Sequence, residues 1–235
     1  TIMRKQTGFT LIEIAIVLVI IGLLLGGVLK GQELIQSARV RNLASMQDGV
    51  KAAFFGFQDR FRALPGDYTN AAGANGNITG VASVAGCGTA GNGNGDGNGQ
   101  IAANESILAW EHLSKAGFIN GTYTCAAAES ATTSPVNAYN IYLQLIYDAV
   151  YGTAAPTRHN LKTGSGIPVA VIAELDRKID DGQPYAGTFQ FSTYQGSNGV
   201  ALTAPPGATA CTTATTATSW NVVGGATNCG GATLF

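Results

Sequence analysis

Residues 8–29 read GFTLIEIAIVLVIIGLLLGGVL, the longest apolar run of the chain. From Ile14 to Leu29 it contains no charged or polar side chain. A helix needs about 20 apolar residues to cross a bilayer, so we interpret the stretch as a membrane-spanning helix. Two alternatives compete with this interpretation. One is a buried helix of a globular domain, and the other is a cleaved secretory signal, whose apolar region is usually about 7–15 residues long.

Charged residues at the start of the apolar stretch predict its orientation, and one of them is unusual in a membrane helix. Arg4 and Lys5 precede it, which predicts a cytoplasmic N-terminus with the rest of the chain outside. Glu13 lies near its start, where an unpaired carboxylate costs on the order of a few kcal/mol. No lysine or arginine lies within helical reach of Glu13 on the apolar side. We therefore expect its partner to be a cation of another chain.

Residues 8–13, GFTLIE, followed by an apolar helix, resemble the processing site of type IV prepilins and the related pseudopilins. The resemblance is specific in the N-terminal helix and only loose in the remainder of the chain. It implies cleavage after Gly8 by a membrane prepilin peptidase and N-methylation of the new terminal Phe9. It also implies that the Glu13 carboxylate meets the terminal amine of a neighbouring subunit during assembly, which supplies the missing cation.

The resemblance implies a structural role rather than an enzymatic one. A prepilin sits in the bacterial inner membrane and later joins an extracellular helical filament, a type IV pilus, made of copies of itself and other pilins. The expected parts are a leader at 1–8, a membrane and filament-core helix at 9–30, a head-packing half of that helix at 31–64, and a globular head at 65–235. The alternatives are a periplasmic pseudopilin of a type II secretion system and a membrane-tethered, calcium-dependent binding module.

The helix is predicted to continue beyond the membrane. Apolar residues recur at spacings of mostly three or four from Leu34 to Phe61, as in a helix with one buried face. Pro65 then ends the pattern, because proline disfavours the helical conformation in the residue before it. The glycines of the apolar half can either loosen the helix or permit close helix contact, and both alternatives stay open. These glycines are Gly22, Gly26, Gly27 and Gly31.

The fold class expected from these patterns is α+β. A long N-terminal helix, hydrophobic in its first half, packs against a small antiparallel β-sheet head with long loops. Strands are expected near 188–194 and 220–223, and residues 139–147 are expected to form a strand or a helix. A helix with proline in its first turn is expected from Pro168 to Gly182. Its acidic end is interpreted as a ligand or interface face, or more simply as a solvated helix end; the acids are Asp176, Asp180 and Asp181.

A glycine- and asparagine-rich loop in the head ends in GNGNGDGNGQ at residues 91–100. It aligns with the calcium loop of an EF-hand and is followed at once by a predicted helix. Calcium binds about six to eight oxygen ligands. Asparagine replaces the usual first aspartate, so we expect an affinity of about 0.1–1 mM. The candidate ligands are Asn94, Asp96, Asn98, the backbone carbonyl of Gln100, and Glu105. The competing interpretation is a turn that caps the helix through Asn104 or Ser106.

The chain has four cysteines, and an even number in a translocated head predicts two disulfides. Pairing by sequence proximity gives Cys87–Cys125 and Cys211–Cys229, one of the three possible connectivities. Zinc is a weak alternative, because no pair of cysteines has C-x-x-C spacing.

The composition and the absence of catalytic motifs argue against several classes of protein. Charged residues make up 11% of the chain and the net charge is −1. Such a chain cannot neutralise many phosphates, so nucleic acid is not expected as a partner. The 32 glycines follow no Gly-X-Y period, which excludes collagen. The sequence contains neither a nucleophile elbow nor an H-E-x-x-H motif, so we expect no enzyme activity.

Overall fold

The computed structural model describes residues 8, 10–82, 84–88, 92–152, 155–196, 208–214 and 218–235. The chain divides into two units, Thr1–Arg39 and Val40–Phe235. Helix α1, Leu11–Phe61, begins in the first unit and ends in the second. It ends three residues before the predicted boundary at residue 64, directly ahead of a turn at 62–67.

In the first unit, α1 exposes its large apolar side chains. Leu23 is 75% exposed and Val19 is 69% exposed, and most of their neighbours are similarly open. By length and composition, α1 is long enough and apolar enough to cross a membrane. A Cβ placed on any of the four glycines of this segment would meet nothing within 4 Å. From Ile14 to Leu29 the helix therefore presents an exposed surface without charged side chains.

The second unit is α+β, as the sequence predicts. Its four strands form one antiparallel sheet in the order β1-β2-β4-β3. The elements in chain order are α2 Ala103–Lys115, β1 Gln144–Asp148, β2 Arg158–Lys162, α3 Val169–Ile179, β3 Phe189–Phe191, α4 Ala208–Cys211 and β4 Gly231–Leu234.

The part of α1 that lies in the second unit packs in two hydrophobic clusters. Val40 and Leu43 pack in the first cluster with residues of α3 and β3, including Ile172 and Phe189. A second cluster gathers α1, α2 and the sheet around Trp110. Full burial of such a side chain is worth about 1.5–3 kcal/mol, so the three- and four-residue spacing of the sequence is explained by the core. The α1 members of the second cluster are Val50, Ala53, Phe54 and Phe57.

Both disulfides expected from sequence proximity are present, Cys87–Cys125 and Cys211–Cys229. The first pair packs with Leu108 of α2 and ties the loop before α2 to the segment after it. The second pair is fully buried in the cluster that contains α3.

Some secondary-structure predictions need correction. Residues 222–225 form a turn, and the described part of this segment contributes only an isolated bridge between Thr212 and Trp220. The expected strand at 188–194 is real but shorter, and the segment 139–147 yields a strand over its later part. Helix α2 begins after Ala102, so neither Asn104 nor Ser106 is its N-cap.

The prediction of a solvated helix end is wrong for Asp176 and Asp180, whereas Asp181 is exposed. Asp176 is fully buried, and its Oδ2 accepts a 2.6 Å hydrogen bond from Trp220 Nε1. Burial raises the pKa of the Asp176 carboxyl to about 6, and the hydrogen bond from Trp220 opposes this shift. Asp180 Oδ2 accepts the backbone N–H groups of Thr188 and Phe189. Asp176 therefore ties α3 to Trp220, and Asp180 ties the end of α3 to the start of β3 across the segment from 176 to 187.

The Asp180 contact also explains a glycine in that segment. Gly187 has a φ of 69°, and a Cβ there would lie 1.7 Å from Asp180 Oδ2. Gly225 has a similar φ of 62° but open space around its Cβ position, so it isolates the backbone effect. We expect Gly225→Ala to lower the free energy of unfolding by about 1–2 kcal/mol. Gly187→Ala should lose at least about 2 kcal/mol more.

Urea unfolding of the detergent-solubilised chain measures both values. Equal losses in the two variants would show that the Asp180 contact contributes nothing to the requirement for glycine at position 187.

Candidate functional site

The N-terminal motif forms a local hydrogen-bonded box at the start of α1. Glu13 Oε2 accepts hydrogen bonds from the backbone N–H and the hydroxyl of Thr10, each at 2.8 Å. The Glu13 N–H donates to Thr10 Oγ1 at 3.3 Å. This is the reciprocal arrangement of a capping box. Gly8 and Thr10 are described, whereas Phe9 lies outside the described residues.

In the head, the structure gathers three carboxylates at one place. Oxygens of Asp67, Asp96 and Glu105 all lie within 4.8 Å of one another. Asp67 belongs to the turn after α1, Asp96 to the glycine-rich loop, and Glu105 to the first turn of α2. Asp67 and Glu105 are buried while Asp96 is exposed, so the cluster opens to solvent on one side.

Asp67 is the residue that sequence reasoning missed. Its Oδ1 accepts the N–H groups of Gly97 at 2.7 Å and Asn98 at 3.1 Å, and its Oδ2 accepts that of Gly99 at 2.9 Å. Three backbone donors therefore hold the glycine-rich loop around this carboxylate. The sequence offered only the Leu64-Pro65-Gly66-Asp67 turn as a signal, which we interpreted as a helix stop.

The carboxylates perturb one another electrostatically. Burial raises the pKa of Asp67, and the neighbouring Asp96 and Glu105 add to the rise. The N–H groups of Gly99 and Gly97 oppose it. Carboxylates this close cannot all be charged at low cost unless a proton or a cation is shared among them.

The predicted ligands are only partly brought together. Asp96 and Glu105 join the cluster, and Asn98 Nδ2 donates to Asp96 Oδ2 at 2.9 Å. Asn98 Oδ1 accepts the backbone N–H of Gln100 at 2.7 Å. The amide of Asn94 is engaged elsewhere, because its Oδ1 accepts the N–H of Ala72 at 2.7 Å.

Glu105 has two structural hydrogen bonds in addition to its place in the cluster. Its Oε1 accepts the N–H of Asp96 and its Oε2 accepts that of Ala102, both at 3.1 Å. The second contact is the glutamate half of a capping box at the start of α2. Glu105 thus joins the loop to the helix with one oxygen for each N–H group. An amide, which has a single acceptor oxygen, could accept only one of them.

His112 of α2 supports the loop from beneath. Its Nδ1 accepts the N–H of Gly66 and its Nε2 donates to the carbonyl of Gly93, both at 3.0 Å. The ring stacks on Phe57 at 6.1 Å between centroids. Burial lowers the pKa of His112 to about 4, so the imidazole is neutral at pH 7 and can accept from Gly66. His112 therefore links the turn that contains Asp67 to the glycine-rich loop.

A protein-family model matches the N-terminal motif. Residues 3–29 match the model of the prokaryotic N-terminal methylation motif. This segment is a prepilin signature of type IV pilins and pseudopilins. The match does not extend into the head, and neither the curated proteins nor the solved structures give a match to the chain. The function of the head therefore has to be argued from its own residues.

The buried imidazole predicts how head stability depends on pH. Unfolded histidine binds a proton near pH 6.5, whereas folded His112 does so only near pH 4. His112 should therefore lower the free energy of unfolding as pH drops from about 6.5 to 4, by up to about 3 kcal/mol. The raised pKa of Asp176 acts in the opposite direction over much of this range, so the His112 contribution is the difference between wild type and a variant without the imidazole. Urea unfolding of the full chain at several pH values measures this loss.

The chain has only one other histidine, His159, which serves as the control. The difference in stability between wild type and His112→Gln should change by up to about 3 kcal/mol between pH 6.5 and 4, whereas the difference between wild type and His159→Gln should change less. The same slope in wild type and His112→Gln would contradict the assignment.

Proposed function

We propose that the chain is a structural subunit of an extracellular helical filament of the type IV pilus kind. It is cleaved after Gly8 by a prepilin peptidase, methylated at Phe9, and assembled through its apolar helix. The observation that supports this most is the prepilin signature at residues 3–29. It is followed by a helix whose apolar side chains are exposed.

The exposed surface of α1 has two suitable environments. A segment from Ile14 to Leu29 without charge fits a bilayer before assembly. After assembly, the helices of other subunits cover the same surface. Contiguous exposed apolar surface of this extent marks an interaction site rather than a surface in water.

Glu13 changes partners in this proposal. Its charge is first satisfied locally by Thr10, which lowers the cost of keeping a carboxylate at the membrane. In the filament, the amine of a neighbouring Phe9 takes over as a charged partner. A charge-assisted hydrogen bond is roughly twice as strong as a neutral one, which favours the exchange.

Pilus and pseudopilus differ in where the filament ends up. The large head favours a pilus subunit over a pseudopilin core subunit. Filaments sheared from the cell surface would support the pilus, while a product confined to the periplasm would support the type II secretion alternative.

Glu13→Gln tests the charge separately from the helix cap. Glutamine still fits the capping box with Thr10, so membrane insertion and cleavage should be unchanged. We expect at least about a tenfold loss of filaments, because one charged hydrogen bond per subunit is removed. Electron microscopy and quantification of sheared filaments provide the measurement.

Glu33→Gln is the matched control. Glu33 is an exposed α1 residue that pairs with Lys30 at 2.6 Å, and its loss should leave the yield of filaments nearly unchanged. Normal filaments from Glu13→Gln would refute the assembly role of this carboxylate.

We further propose that the acidic loop of the head binds calcium. The supporting observation is the cluster of Asp67, Asp96 and Glu105. Carboxylate oxygens suit a hard cation, and a bound divalent ion would relieve the repulsion that raises the pKa of Asp67. The ion would hold the turn after α1, the loop and the start of α2 together. Backbone carbonyls and water would complete its coordination.

Calorimetric titration of the full chain in detergent tests this site. We expect a dissociation constant of about 0.1–1 mM, and about 1.4–2.7 kcal/mol of added stability at roughly 10 mM calcium. Glu105→Gln removes the charge and, because an amide has a single acceptor oxygen, one of the two backbone contacts as well, so it should weaken binding at least about tenfold. Asp67→Asn should do the same.

Asp59→Asn, at an exposed position of α1, is the control and should bind like wild type. Absence of both heat and stabilisation at that calcium concentration would show that the loop is held by hydrogen bonds alone.

A further inference from the structure

The sheet of the second unit buries a lysine side chain in contact with a carboxylate. Lys162 of β2 is 1% exposed, and its Nζ forms an ion pair with Asp148 Oδ2 at the end of β1. Nζ also donates a 3.1 Å hydrogen bond to Gln144 Oε1. Gln144 stands directly opposite Lys162 in the antiparallel pair of strands. Side chains alternate along a strand, so Gln144 and Asp148 share one face of β1.

Burial makes the charged form of this lysine costly. It lowers the pKa of the Lys162 amine, while Asp148 and Glu129 oppose the shift. Desolvation favours the neutral form of each partner in a buried ion pair. Transfer of one proton from the ammonium to the carboxylate therefore costs less here than in water. It leaves a nucleophilic amine in contact with a carboxylic acid.

The second oxygen of Asp148 is held by two hydrogen-bond donors. Oδ1 accepts Asn160 Nδ2 at 3.0 Å and the backbone N–H of Val150 at 3.1 Å. Asn160 is fully buried, so its amide is fixed in place. Two prepared donors stabilise the negative charge that develops on an oxygen when its carbon is attacked. Oδ2, the oxygen in contact with the amine, is then the one that can leave.

Glu129 places another carboxyl group near the lysine. The Tyr194 hydroxyl donates a hydrogen bond to Glu129 Oε1, and Lys162 Nζ lies 5.4 Å from the centre of the Tyr194 ring. Burial raises the pKa of Glu129, and Tyr194 and Lys162 oppose the rise. A half-buried carboxyl in this position is suited to carry a proton from the amine to the leaving oxygen.

We propose that Lys162 and Asp148 join in an isopeptide bond, which forms within the folded head without another protein. Lys162 Nζ attacks Asp148 Cγ, the N–Cγ bond forms and the Cγ–Oδ2 bond breaks. Two of the three ammonium protons leave with Oδ2 as one water molecule. The third stays on the amide nitrogen, where Gln144 Oε1 can accept it. One amide and one water replace one ammonium and one carboxylate, so the step needs no oxidant or cofactor and removes both buried charges.

Peptide mapping of the purified full chain by mass spectrometry tests the bond. In an unlinked chain, trypsin cuts after Arg158 and after Lys162. In the linked chain, we expect the peptide that contains Asp148 to be joined to an uncut peptide that contains Lys162. The joined product should lack the mass of one water, and its fragments should locate the branch. A wild-type chain that yields only separate peptides overturns the proposal.

Variants identify the two partners of the bond. Lys162→Arg keeps a positive charge but has no amine to acylate, and Asp148→Ala has no carboxyl to attack, so both should give only separate peptides. Gln144→Ala removes the neighbouring amide and should keep the joined product. A joined product in Asp148→Ala, or one formed with loss of ammonia from Gln144, overturns the assignment.

Glu129→Gln tests the proton carrier. Glutamine still offers an oxygen to the Tyr194 hydroxyl, but it cannot carry the proton. The linked fraction formed in a given time should fall at least about tenfold. An unchanged fraction would overturn the role of Glu129.

The exposed pair Lys30–Glu33 is an internal control in the same sample. Its Nζ and Oε2 atoms are 2.6 Å apart, and both side chains are 69% exposed. Water keeps both groups charged, so this pair should remain unlinked. Equal loss of water at both pairs would show that sample handling, and not the buried site, produces the bond. None of these results depends on whether filaments form.

Discussion

The exposed apolar surface of α1 limits the environments in which this chain can be stable. The segment from Ile14 to Leu29 contains no polar side chain, and its residues remain open in the described structure. Each such side chain gains about 1.5–3 kcal/mol when it leaves water. Summed over the segment, this exceeds the roughly 5–15 kcal/mol that stabilises a typical folded domain. In water this surface is therefore unfavourable, and an apolar environment, lipid or protein, is needed to cover it.

Glu13 and Glu105 each accept a hydrogen bond at the start of a helix. That hydrogen bond alone does not require a charged side chain. Glu13 closes a box with Thr10, and Glu105 accepts from Ala102 at the start of α2. A neutral glutamine could make both contacts. The helix caps therefore do not need the negative charge of either carboxylate. Another interaction has to offset the free-energy cost of keeping the carboxylates ionised. For Glu13 we assign the offset to an amine of another subunit, and for Glu105, clustered with Asp67, to a cation.

The sequence predicted features that depend on local spacing and missed those that depend on distant contacts. The long helix, α2 and the disulfide pairs follow from periodicity, turn residues and proximity. Asp67 could not be identified as part of the loop, because it joins Gly97 and Gly99 from a turn far away in sequence. Asp176 was misassigned for the same reason, since its partner is Trp220. The short region around residue 220 carries strand-forming residues, yet it pairs only through one bridge.

Helix α1 presents two different faces within the second unit, and the contrast is itself an argument. One face provides Leu43 and Phe57 to the hydrophobic core. Another face is exposed at Asn42, Ser45 and Gly49. This division follows from the three- and four-residue spacing of the apolar residues, which leaves one stripe for the core and the rest for solvent. The first half of the helix has no such division, because its apolar side chains are exposed all around it. One helix therefore combines an amphipathic segment that anchors the head with an apolar segment that needs lipid or protein to cover it.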